Sequence, residues 1–419
     1  MSDRQKMAHH ADDAGGGARE LYRSGNLSVR TAPAADRATW VVTFDHYHNE
    51  SDLDRPGFGA DFFATQGISA IHFVCNGNDW FQYDDMMQAC RAARAALFEA
   101  SRILAYGSSM GAYAAIRFAD LVGAHAVLAL APQYSIDPAK VPWETRWLQD
   151  GARIRWREAL DGPIRCKPVP CLVYDPMGED LRHADRIAQD IAVQRIPVPL
   201  SGHPVTTYLC DTGLLQPLLL AAIDPEGDPA AHIRAGLKRR KTSSFYLGEL
   251  ARAQPAWRLR TGMALAQRAV ALQEQPLALL ALAQLNSRAG LHPEAAWAFE
   301  RIMTLTGRDP SYVYTYAEAR YAAGDLAGAL TLAEEVIAGF PGRSHLLNWQ
   351  AGYLWEAGAR AAAVAALERA TELDTNPSYA ERLAEFRRML AKGDAPRPAP
   401  KRGPLSAIIA RLRTWRRTG

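Results

Sequence analysis

The sequence of 419 residues has few cysteines, little excess charge and no long apolar run. Its five cysteines are scattered, without the spacing of a zinc site, so we expect reduced, buried thiols, no metal and no cofactor. A net charge of only +3 excludes a chain that binds polyanions with its whole surface, and we expect no nucleic-acid partner. Because no segment has the apolar length of a signal peptide or a membrane span, the sequence predicts a cytoplasmic protein.

What remains has the composition of a folded protein, with 48% hydrophobic and 22% charged residues. At this length two or three domains are expected. The sequence predicts, in order, a flexible arm over 1–38 with one early strand at 27–30, an α/β domain over 39–223, a charged linker over 224–243, helical repeats over 244–392, a proline-rich linker over 393–404 and a basic amphipathic tail over 405–419.

Short apolar runs alternate with helix-length segments in the α/β domain. The predicted strands are Thr39–Phe44, Ser69–Cys75, Ile103–Tyr106, Ala124–Pro132, Val169–Tyr174 and Arg195–Val198, and a helix is predicted over Asp84–Ser101. This alternation is typical of a mostly parallel sheet with both faces covered.

The third of these strands runs into Gly107-Ser108-Ser109-Met110-Gly111, and a helix-forming run follows directly. A strand, a G-x-S-x-G turn and a helix together are the setting of a nucleophile elbow. The turn is so sharp that the residues two before and two after the serine must lack side chains, and Gly107 and Gly111 meet that need. The sequence therefore predicts that Ser109 is held out at the carboxyl end of the strand.

An acid and a histidine follow the serine in the chain. Asp175 and Asp180 come after the fifth strand, and His203 comes after the sixth. The order serine, acid, histidine is that of a hydrolase triad. We favour Asp180 because it follows Gly178 in the loop, whereas Asp175 closes the strand, and both remain candidates.

These three segments resemble the elbow, acid loop and histidine loop of the α/β-hydrolase superfamily. The resemblance implies that Ser109 attacks a carbonyl, His203 carries its proton and Asp180 orients the imidazole. It also implies an oxyanion hole made by the N–H of Met110 and a second N–H near Asp45, in the region 44–46.

The resemblance implies a serine esterase acting on a small acyl ester or an acylated sugar. The Gly-Ser-Ser motif and the compact domain also resemble bacterial capsule-polysaccharide O-acetyltransferases of this fold, which makes acyl transfer to a sugar hydroxyl, in polysaccharide biosynthesis, the alternative. A hydrolase fold without catalytic activity, serving as a scaffold, is the second alternative.

Four side chains are candidates for the wall of a pocket. They are His46, Trp80, Trp143 and Trp147, each in a loop or in the segment 133–161, where a hydrolase usually has its cap. Tryptophans interleaved with arginines could hold an anionic or sugar-bearing substrate. The alternative is that these residues only pack the loops and a capping helix.

The last third of the chain is periodic. Gly290, Gly324 and Gly358 are 34 residues apart, and alanines and prolines keep the same period. A period of 34 with small residues at fixed offsets resembles the tetratricopeptide repeats, which implies a helical solenoid that recruits a protein partner or a polymer.

The tail over 405–419 carries Leu405, Ile408, Ile409, Leu412 and Trp415 at helical spacing among arginines. Such a segment can lie on an anionic membrane, at the inner face for a cytoplasmic protein. Docking on a partner and disorder are the alternatives.

Overall fold

The computed structural model describes residues 19–48, 50–374 and 376–392. Its first part is built on eight strands, β1 Arg19–Arg23, β2 Leu27–Ala32, β3 Asp36–Phe44, β4 Ile68–Cys75, β5 Arg102–Ser108, β6 Ala126–Leu130, β7 Cys171–Tyr174 and β8 Gln194–Pro197. They form one sheet in the order β1-β2-β4-β3-β5-β6-β7-β8. Strands β3 to β8 pair in parallel, and β2 is antiparallel to both β1 and β4. The predicted mostly parallel sheet is confirmed.

Both faces of the sheet are buried, which explains the continuous apolar runs of the sequence. Along β5, Ile103 and Ala105 belong to one core cluster, while Leu104 and Tyr106 belong to another on the opposite face. Successive side chains of a strand point to opposite faces, so a strand covered on both sides must be apolar throughout.

Helices cover the sheet and connect its strands. They are α1 Ala60–Thr65, α2 Met86–Ala96, α3 Met110–Arg117, α4 Ala119–Val122, α5 Leu148–Arg153, α6 Glu158–Asp161, α7 Glu179–Asp190, α8 Thr206–Asp211 and α9 Leu215–Ile223. The segment between β6 and β7, expected to form a cap, contains only the short helices α5 and α6 among its regular elements.

The prediction of a flexible arm up to residue 38 is wrong for residues 19–38. The strand expected at 27–30 is part of β2, and Leu27 and Val29 are fully buried in it. It pairs with β4 along its whole length. The sequence does not predict β1 because it is a polar edge strand with little apolar signal. Residues 1–18 lie outside the described part of the chain.

The segment 224–243, predicted to be a charged linker, is folded instead. This segment forms α10, Pro229–Gly236, and a short 3₁₀ helix over Leu237–Thr242. Ile233 is 3% exposed and belongs to the core on one face of the sheet. The cluster of lysines and arginines is exposed. Because it directly follows the helix, the sequence of the whole segment resembles a linker.

Helices alone make up the rest of the described chain. They are α11 Ser244–Arg252, α12 Leu259–Leu272, α13 Pro276–Arg288, α14 His292–Thr306, α15 Pro310–Ala322, α16 Leu326–Gly339, α17 Ser344–Glu356, α18 Arg360–Leu373 and α19 Pro377–Lys392, with a 3₁₀ turn at Ala256–Arg258. The pairs α13 and α14, α15 and α16, and α17 and α18 start at a constant spacing. Gly290, Gly324 and Gly358 lie in the turns within these pairs with φ of +74°, +86° and +80°, where glycine is favoured.

Within the described residues, no helix has the length and apolar character needed to cross a membrane. The predicted proline-rich linker and amphipathic tail lie outside those residues.

Candidate active site

Ser109 stands between β5 and α3 in a strained backbone conformation, with φ of +54° and ψ of −116°. A Cβ on Gly107 would come within 2.2 Å of the Gly111 backbone, and a Cβ on Gly111 would come within 2.3 Å of the Phe44 carbonyl oxygen. Both glycines are therefore required by close backbone approach, as the motif predicted. The Ser109 N–H donates to the Leu130 carbonyl at 2.8 Å, which ties the turn to β6.

His203 meets Ser109 from the loop after β8, and Asp180 approaches from the first turn of α7, directly after the loop in which the sequence placed it. Ser109 Oγ lies 2.9 Å from His203 Nε2, and His203 Nδ1 lies 2.8 Å from Asp180 Oδ2. The Ser109 hydroxyl can donate to Nε2 only if Nδ1 carries the ring proton, and that proton is then donated to Asp180. The structure thus brings the three predicted residues into one hydrogen-bonded chain.

Asp175, the other candidate acid, has a different surrounding. Its carboxylate accepts the backbone N–H groups of Met177, Leu200 and Gly202 at 2.9, 3.1 and 2.8 Å. Asp175 therefore joins the acid loop to the histidine loop, while Asp180 is the acid that contacts His203.

A buried ionic network stands behind Asp180. Arg146 Nη1 lies 2.5 Å from Asp180 Oδ1, and Arg146 also pairs with Glu144, which accepts from His183 Nε2 at 2.8 Å. Burial by itself would raise the pKa of Asp180, but its interactions with His203 and with the Arg146 guanidinium outweigh it and hold that pKa well below its usual range. Burial likewise opposes ionisation of Glu144, yet His183 and Arg146 lower its pKa to about 2. Both carboxyl groups are ionised at neutral pH.

Arg146 is one of the arginines interleaved with the tryptophans of segment 133–161. It is only 1% exposed, with its guanidinium 4.5 Å from the ring centroid of Trp147, so it serves the network and not the surface. No sequence pattern singles out Arg146, Glu144 or His183, because only the tertiary fold brings them together.

Of the two predicted oxyanion donors, the Met110 N–H remains a candidate and the Asp45 N–H is excluded. Met110 is the first residue of α3, so its N–H has no intrahelical acceptor and lies at the positive end of the helix. The N–H of Asp45 donates to the Phe73 carbonyl at 3.2 Å, which removes Asp45 as a donor. The next N–H in the predicted region, that of His46, takes its place as the candidate.

The four pocket candidates divide into two groups. The ring of Trp147 lies 5.2 Å from that of His203 and borders the site. Trp80 is fully buried and packs edge-on against Trp147 at 5.7 Å, so it supports the wall from behind. Trp143 instead packs on His183, and the exposed His46 packs on Phe58.

Gln133 also belongs to the candidate site, although no sequence motif marks it. Its Nε2 lies 3.0 Å from Ser109 Oγ and 3.5 Å from His203 Nε2, and the side chain is 1% exposed. Its position three residues after the end of β6 was the available signal, since ligands in open α/β sheets bind at the carboxyl ends of strands.

Asp45, His48 and Cys75 also cluster, with ligand atoms within 4.8 Å of one another. Arg55 Nη2 lies 2.5 Å from the Asp45 carboxylate and 2.8 Å from His48 Nε2. A guanidinium therefore already satisfies two of these three groups.

All five cysteines are free, with Cys75 and Cys90 buried and Cys210 exposed.

No protein-family model matches the sequence, and no curated protein matches it. Among solved structures, the chain is similar to the capsule O-acetyltransferase of Neisseria meningitidis serogroup A, at 10% identity and a TM-score of 0.33, over 43% of this chain and 85% of that one. It is similar to the esterase Pf2001 of Pyrococcus furiosus at 14% identity and a TM-score of 0.33, over 53% and 91% of the two chains. It is also similar to mouse alpha/beta hydrolase domain-containing protein 10 at 12% identity and a TM-score of 0.30, over 48% and 99%. The function proposed below depends on the geometry of the site and not on these likenesses.

Proposed function

We propose that the first part of the chain is an α/β-hydrolase-type serine enzyme that cleaves small acyl esters. The observation that supports this is the continuous hydrogen-bonded chain from Ser109 Oγ through His203 to Asp180, at 2.9 and 2.8 Å. Such a chain is the arrangement that activates a serine, with a base within hydrogen-bond reach and a third group that orients the base.

In the first half of the reaction, Ser109 Oγ attacks the ester carbonyl carbon while His203 Nε2 takes the hydroxyl proton. The carbonyl oxygen becomes an oxyanion, which the N–H groups of Met110 and His46 would stabilise. The ester C–O bond then breaks, His203 returns the proton to the departing alcohol oxygen, and the acyl group stays on Ser109. Asp180 remains ionised throughout and stabilises the imidazolium.

In the second half, His203 removes a proton from the molecule that attacks the acyl carbonyl carbon. The bond from that carbon to Ser109 Oγ then breaks, and His203 returns the proton to Ser109. Water as attacker gives hydrolysis, and a sugar hydroxyl gives O-acyl transfer, the alternative reaction of this site. Both reactions use the same residues in the same roles.

The scaffold alternative would not require the side chains of Ser109, His203 and Asp180 to meet. The hydrogen bonds between these three side chains favour an enzyme. So does the hydrogen bond from the Gly202 N–H to Asp175, which fixes the histidine loop.

For the helices from α13 to α18 we propose a tetratricopeptide-type array that recruits a protein partner or a polymer. The regular helix pairs and the left-handed glycines in their turns support this proposal. Peripheral membrane contact by residues 405–419 is the further proposal for the tail, from its sequence pattern alone.

The test is hydrolysis of p-nitrophenyl esters by the wild type and by Ser109→Ala. Loss of the nucleophile is expected to lower kcat by several orders of magnitude. Ser108→Ala is the matched control, because the Ser108 hydroxyl bonds Thr206 Oγ1 at 2.8 Å and takes no part in the reaction. Equal activity of Ser109→Ala and the wild type would refute the proposed function.

A further inference from the structure

The side-chain amide of Gln133 is only half satisfied. Its Nε2 donates to Ser109 Oγ at 3.0 Å, but Oε1 is a buried acceptor without a hydrogen-bond partner among the described residues. A buried acceptor that lacks a donor carries a desolvation penalty, and native proteins keep few such groups. An unmatched oxygen beside a reactive serine is therefore suited to a donor brought by the substrate.

The position of Gln133 indicates which part of the substrate brings that donor. The alcohol oxygen of an ester must come to His203 Nε2 to receive its proton. Gln133 Nε2 lies 3.5 Å from His203 Nε2, so the amide borders the place of the alcohol. Since Oε1 shares a carbon with Nε2, it lies within roughly 5.5 Å of Ser109 Oγ.

The acyl part of the substrate is directed differently. Its carbonyl oxygen has to face the Met110 N–H at the start of α3. A donor on the acyl chain would consequently lie on the far side of the carbonyl carbon from the leaving oxygen. A hydroxyl on the second carbon of the alcohol, counted from the ester oxygen, by contrast lies on the leaving-group side, where His203 Nε2 and the Gln133 amide meet.

We propose that Gln133 determines specificity for esters of polyhydroxylated alcohols, with Oε1 accepting a hydrogen bond from a hydroxyl on the carbon adjacent to the one that bears the ester oxygen. Sugars and glycerol belong to this class. This inference rests on the proposed function and adds the substrate class to it. The same contact would hold a polyol acceptor in place when acyl transfer takes the place of hydrolysis.

The experiment compares two esters with the same acyl group and alcohols of similar size. The acyl group is first fixed by the p-nitrophenyl ester that the full-length protein turns over fastest. The hydroxyethyl ester of that acid offers a neighbouring hydroxyl, and the methoxyethyl ester offers none. We expect the wild type to favour the hydroxyethyl ester about tenfold in kcat/KM.

Gln133→Met keeps the length of the side chain and removes the acceptor. The variant also loses the hydrogen bond from Nε2 to Ser109 Oγ, which affects both esters alike. The ratio of the two kcat/KM values cancels that shared effect and is expected to fall to about one. Gln82→Met is the control for loss of a buried glutamine elsewhere. Gln82 is 3% exposed and bonds the Tyr113 hydroxyl at 2.9 Å, so this variant should keep the wild-type ratio.

A wild-type ratio near one overturns the inference, whether or not the variants fold, and so does a preference that survives in Gln133→Met. Labelling with a fluorophosphonate separates this failure from that of the proposed function. A labelled wild type without preference refutes the role of Gln133 alone, while an unlabelled wild type refutes the serine mechanism and the inference with it.

Discussion

Arg146 contacts the oxygen of Asp180 opposite to the one nearest His203, with Nη1 2.5 Å from Asp180 Oδ1. Both side chains are almost fully buried, at 1% and 3% exposed. A lone buried carboxylate would be costly, whereas this one has a permanent cation on one side and an imidazole on the other. Arg146 is therefore a positioning residue for the candidate triad, since it acts through Asp180.

Removal of Arg146 should destabilise the protein more than removal of an exposed arginine. Arg146→Met leaves Asp180 and Glu144 buried without their shared cation, and we expect a loss of about 3–5 kcal/mol in the free energy of unfolding. Arg153→Met is the control, because Arg153 pairs with Asp79 at 2.6 Å while 55% exposed, and should cost less than about 1 kcal/mol. Urea unfolding of both variants measures the difference, and equal losses would contradict the importance of the network.

Asp180 and Asp175 can be distinguished by the same substitution. Asp180→Asn removes the acceptor that keeps His203 in its reactive tautomer, and kcat should fall on the order of 10⁴-fold. Asp175→Asn weakens the loop contacts and should lower stability by about 1–3 kcal/mol with a much smaller effect on kcat. Ester turnover and urea unfolding of both variants test this. The opposite pattern would transfer the role of the acid to Asp175.

The glycine of the elbow nearest the β3 loop should not tolerate a methyl group. In Gly111→Ala the new Cβ would come within 2.3 Å of the Phe44 carbonyl oxygen, so backbone must move and Ser109 moves with it. We expect a loss of stability of about 1–3 kcal/mol and a large loss of turnover. Gly178→Ala, which meets no atom within 4 Å, should be neutral. Wild-type turnover in Gly111→Ala would be incompatible with the strained turn.

Protonation of His72 should lower the stability of the folded protein as the pH falls. Burial and the charge of Arg30 lower its pKa from 6.5 to about 4. Between these values the unfolded chain binds more protons than the folded one, so His72 contributes stability above pH 6.5 that is lost as the pH falls towards 4. Between pH 7 and pH 5 the free energy of unfolding should drop by roughly 2 kcal/mol from this residue.

His72→Asn removes that titration and keeps a polar atom near Thr43, whose Oγ1 lies 2.6 Å from His72 Nδ1. Unfolding of the variant at the two pH values should show a smaller drop than the wild type. An unchanged drop would assign the acid sensitivity to other groups.

The sequence predicted the sheet well because its inner strands are apolar throughout. It could not predict β1, whose residues 19–23 are polar or half-buried at the edge of the sheet. It also predicts a linker where α10 lies, because the lysines and arginines that follow the helix outweigh the signal of the buried Ile233. Hydrophobic periodicity indicates which residues of a segment are buried. A segment that is buried on one side only and lies near a charged run therefore has a weak periodic signal.

The candidate site was predictable to the extent that local backbone geometry required particular residues. The elbow around Ser109 needs glycines at fixed offsets, and that requirement is visible in the sequence. Gln133 and Arg146 act through contacts with residues distant in the chain, so no local pattern marks them. The engagement of the Asp45 N–H by the Phe73 carbonyl depends on the register of β3 against β4, a tertiary property that no local pattern shows.

The serine mechanism is tested most directly by covalent labelling of the full-length protein with a fluorophosphonate, followed by mass-spectrometric mapping of the modified residue. An activated serine attacks phosphorus and displaces fluoride, and an ordinary serine does not react at a comparable rate. We expect a single label on Ser109, lost in Ser109→Ala, retained in Ser108→Ala and strongly slowed in Asp180→Asn. A wild type that stays unlabelled, or a label on a residue other than Ser109, would contradict the mechanism.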